Sequence, residues 1–116
     1  MLDYLRDPEI RYDLHIPEDA PEWNLCSDIN YRRDTVGSFD IYKELKGKYR
    51  MLIYSGDTDG AVPTLGTQNW IRELAWEISE QWRPYYVNGQ IAGMVEVRQD
   101  ETFVFATIHG AGHMAP

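Results

Sequence analysis

Twice in this chain an apolar, β-prone run breaks straight into a glycine-bordered loop, and that repetition limits the fold more than any other feature. The first run, Arg50-Met-Leu-Ile-Tyr54, opens into Ser55-Gly-Asp-Thr-Asp-Gly-Ala-Val-Pro63. The second, Thr102-Phe-Val-Phe-Ala-Thr-Ile108, opens into His109-Gly-Ala-Gly-His-Met-Ala-Pro116. A short apolar run stopped by turn residues reads as a buried strand. In the second run Phe103, Phe105 and Thr107 alternate onto one face. Between the two lies the strongest helical pattern, Thr64 to Trp82, where Ile71, Leu74, Ile78 and Trp82 form one apolar stripe and Glu73, Glu77 and Glu80 fall on the wet side. After Pro84, residues 85–87 and 91–97 flank Asn88-Gly89, a two-residue hairpin signal.

Upstream the pattern is weaker. Leu5, Ile10 and Leu14 mark a short helical segment punctuated by Pro8 and Pro17, and 17–21 reads as a turn. A further helix is predicted around Phe39 to Leu45, with Gly37-Ser38 before it and Gly47 after it. The order strand, turn, helix, hairpin, strand, loop is that of an α/β or α+β unit. The whole chain of 116 residues is within the size of one domain, and it carries no internal repeat. Its last glycine-rich loop ends on Pro116 just past His113, which suggests processing or truncation.

Charge and composition exclude several classes. A formal net charge of -8, with Arg32-Arg33 the longest basic run, does not suit a nucleic-acid backbone. No window nears the 18 or so consecutive apolar residues that a membrane helix needs, and residues 1–8 do not read as a signal peptide. Either the protein is intracellular or this is a downstream piece of a longer precursor. The single Cys26 cannot form an internal disulfide: it is a buried free thiol or a bridge to another chain or segment.

The chemistry-bearing residues sit in the two loops, at strand carboxyl ends, where open α/β sheets bind ligands. Asp-Thr-Asp-Gly has an ordinary explanation, since Asp side chains readily bond their own backbone in turns. A calcium loop starting at Asp57 fails, because Val62 and Gln68 stand where Gly and Glu are required. His109 and His113 have the i, i+4 spacing of zinc ligands, but that aligns them only on a helix, and Gly110 and Gly112 oppose one. No metal site or cofactor is expected. What remains is an aspartate–histidine pair. In α/β-hydrolases the triad order is Ser, then Asp or Glu, then His, and Asp59 precedes His113 by one helix, one hairpin and one strand. No Gly-x-Ser-x-Gly occurs: Ser38 is followed by Phe39-Asp40, and Ser55 has Ile53 where glycine should stand. The nucleophile is expected elsewhere.

At these residues the chain resembles the serine carboxypeptidases. Tyr54 to Pro63 is similar to their aspartate loop and Gly110 to Pro116 to their histidine loop. Asn69-Trp-Ile71, Gln90-Ile-Ala-Gly93, Thr102-Phe-Val104, the stretch from Tyr4-Leu5 to Leu14-His-Ile16, and Trp23 with Cys26-Ser27 resemble the family as well, so the likeness covers nearly all of 1–116. Arg6, where Asn is usual, and Ala115, where Val is common, depart from it.

The resemblance implies the C-terminal portion of an α/β-hydrolase fold, incomplete alone, from an enzyme releasing C-terminal amino acids from peptides. It maps the triad aspartate onto Asp59 rather than Asp57 and the histidine onto His113, and it leaves His109 structural. It implies that Cys26 pairs with an upstream large chain carrying the serine, and that Met114 lines the pocket for the departing residue. It implies a vacuolar, lysosomal or extracellular location. An acyltransferase of the same family, a scaffold that has lost its serine, and a pairing of two copies stay open.

Overall fold

The computed structural model describes residues 2–26, 30–32 and 35–115. Arg33, Ser27 and Pro116, named above, lie outside them. The chain divides into two compact units, Met1–Asp34 and Thr35–Pro116.

In the first unit, helices α1 (Leu2–Arg6) and α2 (Pro8–Asp13) are separated at Asp7. The Asp7 carboxylate accepts the backbone N–H of Glu9 and Ile10, and Pro8 occupies the first helical turn, where its missing N–H costs nothing. Leu14 caps the helix with its N–H on the Ile10 carbonyl, His15 turns left-handed at φ 56°, and the Leu14 side chain is exposed. The 17–21 turn closes through Ala20 N–H on the Pro17 carbonyl and is tied to α2 by the Arg11 guanidinium on the Ala20 carbonyl. Arg6 donates to the Trp23 carbonyl and the Asn24 side chain.

The second unit is α/β. Helix α3 (Phe39–Leu45) precedes strand β1 (Met51–Gly56), helix α4 (Thr64–Glu73), the hairpin β2 (Ile78–Val87) and β3 (Gln90–Arg98), and strand β4 (Phe103–Ile108). The sheet runs β1-β4-β3-β2. β1 and β4 are parallel, and β3 pairs antiparallel with both β4 and β2. Asn88 and Gly89 both take positive φ, 50° and 78°, as a two-residue hairpin turn matched to strand twist requires.

One sheet face carries the core. Phe103 and Phe105 of β4 are buried with Ile71 of α4, Leu74 at its C-cap and Trp76, and Met51, Ile53, Phe39, Tyr42, Trp70 and Trp82 pack around them. Tyr42 stacks on Trp70 at 4.7 Å between ring centroids, Trp82 stacks on Phe105 at 5.4 Å, and Trp76 meets Phe103 edge-on at 5.1 Å. Such pairs add about 0.5–1.5 kcal/mol each beyond the area they bury.

Two sequence expectations are corrected. The helix predicted to Trp82 ends at Glu73, and Ala75, at φ 51°, turns the chain into β2. Ile78 and Trp82 instead lie in β2, whose pairing with β3 shifts register between Ile78 and Glu80 and again between Glu80 and Arg83, and of the two Trp82 packs against the core. Of the stripe, Ile71 in the helix and Leu74 at its cap are buried, whereas Ile78 is exposed. Pro84, expected to precede the strand, lies within it. β2 is an outer strand, where a missing N–H is tolerated. The second correction concerns β1, expected to be buried throughout. It alternates instead: Met51 and Ile53 face the core while Leu52 and Tyr54 are 64% and 55% exposed. With Tyr85, Ala106, Ile108 and Ala115 they line an apolar depression of about 350 Å³ on the opposite face.

Candidate active site

Parallel pairing of β1 with β4 decides where the two loops go. Met51 stands opposite Phe103 and the register continues to Gly56 opposite Ile108, so both strands end at the same sheet edge and their loops leave side by side. The pairing persists past the strands. Asp57 N–H donates to the Ile108 carbonyl at 3.1 Å, and the Thr58 N–H and hydroxyl both donate to the Ala111 carbonyl, at 3.0 and 2.7 Å. Gly56 makes this approach feasible. A Cβ there would lie 2.2 Å from the Ala111 carbonyl oxygen and 2.4 Å from that of Gly112, closer than backbone atoms tolerate.

Two aspartate–histidine pairs bridge the loops. The first is a continuation of the strand register: Asp57 Oδ2 is 2.7 Å from His109 Nδ1, and Asp57 Oδ1 accepts the Gly110 N–H at 2.7 Å. The second requires a slip of two residues, supplied by the Gly110-Ala-Gly112 turn, and joins Asp59 Oδ2 to His113 Nδ1 at 3.1 Å. The other Asp59 oxygen accepts the N–H groups of Ala61 and Val62 at 2.7 and 3.0 Å, just ahead of α4. The Asp59 side chain is only 7% exposed and the His113 side chain 57%.

These contacts define protonation. The Val62 N–H, the His113 ring and the Ala61 N–H hold the Asp59 carboxyl below its ordinary value of 3.8, against the opposing effect of burial. Asp57 is lowered likewise, first by the His109 side chain and then by the Gly110 N–H. An ionised carboxylate can only accept, so Nδ1 of His113 carries the proton in this pair. In the neutral ring that tautomer leaves the lone pair on Nε2, which makes no hydrogen bond to a described residue. An imidazole oriented this way has the geometry that general-base chemistry requires.

His113 and Asp59 share a cavity of about 260 Å³ with Tyr54, Ser55, Gly56, Val62, Thr67 and Ala115. The hydroxyl of Ser55 is buried and 2.9 Å from that of Thr64, which in turn donates to the Gly56 carbonyl. Ser38 is exposed at the start of α3. Met114, expected to line the pocket, is 77% exposed and is not among the residues of this cavity, whereas Ala115 is. Cys26 is exposed and free. Its expected burial as a lone thiol does not hold, and residues 21–25 before it are exposed as well. Each of the two histidines considered as zinc ligands holds a different carboxylate through Nδ1, and no group of three metal-binding side chains occurs among the described residues. No described helix is long and apolar enough to cross a membrane.

The Asp57–His109 pair is the feature that sequence reading passed over. Its signal was the spacing: the two residues lie 52 apart, the offset of every β1–β4 pair.

The family model described as "Serine carboxypeptidase" matches residues 1–116. Serine carboxypeptidase-like 21 of Arabidopsis thaliana is 35% identical over 117 residues, covering 97% of this chain and 24% of the relative. Serine carboxypeptidase-like 1 of the same plant is 42% identical over 116 residues, 97% of this chain and 26% of the relative. Serine carboxypeptidase 1 of Hordeum vulgare is 41% identical over 96 residues, 81% of this chain and 19% of the relative. The chain thus spans about a quarter of the length of such relatives.

Proposed function

The chain belongs to the serine carboxypeptidase family, and we propose that it supplies the aspartate and the histidine of a Ser-His-Asp centre that releases C-terminal amino acids from peptides. The observation that carries this reading is the Asp59 carboxylate, held by two backbone N–H groups on one oxygen and by His113 Nδ1 on the other. That arrangement fixes the imidazole tautomer and leaves Nε2 to face a hydroxyl. The serine belongs to the three quarters of the family's length outside these residues. The present residues are the C-terminal part of an α/β-hydrolase domain, and the open β1 edge and the apolar face at Leu52 and Tyr54 are where the remainder packs. Cys26, free and exposed, is the tether to it. A vacuolar, lysosomal or extracellular setting fits such a disulfide.

The chemistry is acyl transfer. The serine Oγ bonds to the scissile carbonyl carbon while its proton passes to His113 Nε2. The C–N bond then breaks as that proton goes to the leaving amine, and water repeats the sequence in reverse on the acyl-enzyme. Asp59 stays ionised and stabilises the imidazolium. Ser55 is unsuited to the nucleophile's part, being committed to Thr64.

A serine-reactive phosphonate applied to the full-length protein tests the assignment. The label is expected on a segment other than 1–116, and reduction is expected to separate that segment from this one if the two are cleaved apart. Labelling of Ser55 or Ser38 would overturn the reading.

A further inference from the structure

We infer that the Asp57–His109 pair is a latch that positions His113. This inference rests on the function proposed above. His113 lies beyond Gly110-Ala-Gly112, a stretch without bulky side chains to pack, and its own ring is more than half exposed. The orientation of the imidazole therefore depends on how firmly the backbone of 109–112 is fixed. Asp57 supplies two of its anchors at once, one carboxylate oxygen to the His109 ring and the other to the Gly110 N–H. Thr58 supplies the next, at the Ala111 carbonyl, and the His109 N–H on the Ala92 carbonyl of β3, at 2.8 Å, ties the start of the loop to the sheet. The anchors fall on three consecutive residues of the loop. The Asp59–His113 hydrogen bond closes the series at its far end.

Exposure separates a positioning role from a stabilising one. The His109 side chain is 70% exposed and that of Asp57 about a third, and exposed ion pairs contribute little to folding. The geometry of a reacting group is far more sensitive, since a displacement of about 1 Å can cost about 100-fold in rate. Losing His109 removes one arm of the fork and leaves Gly110 held, so a partial loss is expected rather than abolition.

The test uses the full-length enzyme and a peptide substrate. His109→Ala is expected to lower kcat by about tenfold with KM within about twofold, because the loop shift affects the reacting ring and not substrate binding. His109→Asn is expected to recover most of that loss, since its amide N–H can donate to Asp57 Oδ2 in place of Nδ1. His113→Ala serves as the control. If His113→Ala is inactive while His109→Ala retains full kcat, the latch is overturned and the proposed centre stands. Equal loss in the Ala and Asn variants also overturns the latch, because hydrogen bonding to Asp57 then does not matter. Full activity in His113→Ala removes the proposed centre, and the latch with it.

Discussion

Gly56 backs so closely onto Ala111 that a side-chain carbon at position 56 would sit 2.2 Å from the Ala111 carbonyl oxygen. Both partners are backbone, so neither can rotate away, and the only relief is separation of the two loops. Gly56→Ala is therefore expected to cost stability by about 1–3 kcal/mol, the range for overpacking a tight site. The same separation would pull Asp59 from His113, and kcat is expected to fall about 100-fold or more. Thermal unfolding and kcat of the full-length variant check both. Retention of wild-type kcat would mean that the close approach does not set the pair.

The two carboxylates of Asp57-Thr58-Asp59 should separate cleanly on substitution. Asp59→Asn keeps the shape but presents an N–H where Nδ1–H must be accepted, favouring the wrong tautomer. A loss of about 10⁴-fold in kcat is expected. Asp57→Asn loosens the latch and leaves the tautomer of His113 untouched, so its loss should match that of His109→Ala, about tenfold. Equal, large losses from both would assign the reacting role to the wrong carboxylate.

How much of this was legible beforehand depends on how far apart in sequence the interacting residues lie. Helix α3, the Asn88-Gly89 turn and the Phe103/Phe105/Thr107 face were readable because each is set within a few residues. Ile78 and Trp82 misled because their spacing continues the helical stripe of Ile71 and Leu74, whereas Ala75's left-handed turn takes the chain out of the helix before them. The Asp59 loop was ambiguous for a different reason: its carboxylate makes a local and a distant contact at once. One carboxylate oxygen makes the ordinary local turn to Ala61 and Val62 while the other reaches His113, 54 residues away. Asp57–His109 could not be read locally at all, since it follows from the parallel register of β1 and β4.

Acid should release the Asp59–His113 pair only below the usual carboxylate range. The folded-state pKa of Asp59 lies below its ordinary 3.8, so the unfolded chain binds the proton first and the stabilisation is complete above that value. It is lost as pH falls from 3.8 through the folded-state pKa. The difference in unfolding midpoint between wild type and Asp59→Asn is therefore expected to shrink only as pH falls below about 4. A difference that shrinks already at pH 5–6 would mean that Asp59 is not held ionised by these contacts.

The edge of β1 yields the last prediction. Met51 N–H and Asp57 N–H both point to β4, so strand alternation turns the backbone groups of Leu52 and Tyr54 toward the open edge. Their side chains lie on the open apolar face. A parallel edge that pairs with no strand among the described residues and carries apolar side chains is a site for another strand, and the family length leaves ample chain to provide it. In the full-length protein the amides of Leu52 and Tyr54 are expected to exchange as slowly as that of Ile53. Leu52→Asp should then cost about 3–5 kcal/mol, as an uncompensated buried charge does. If the face stays wet, the same substitution should move stability by no more than about 0.5 kcal/mol, and the two amides should exchange freely. That outcome would show that the rest of the protein does not cover β1.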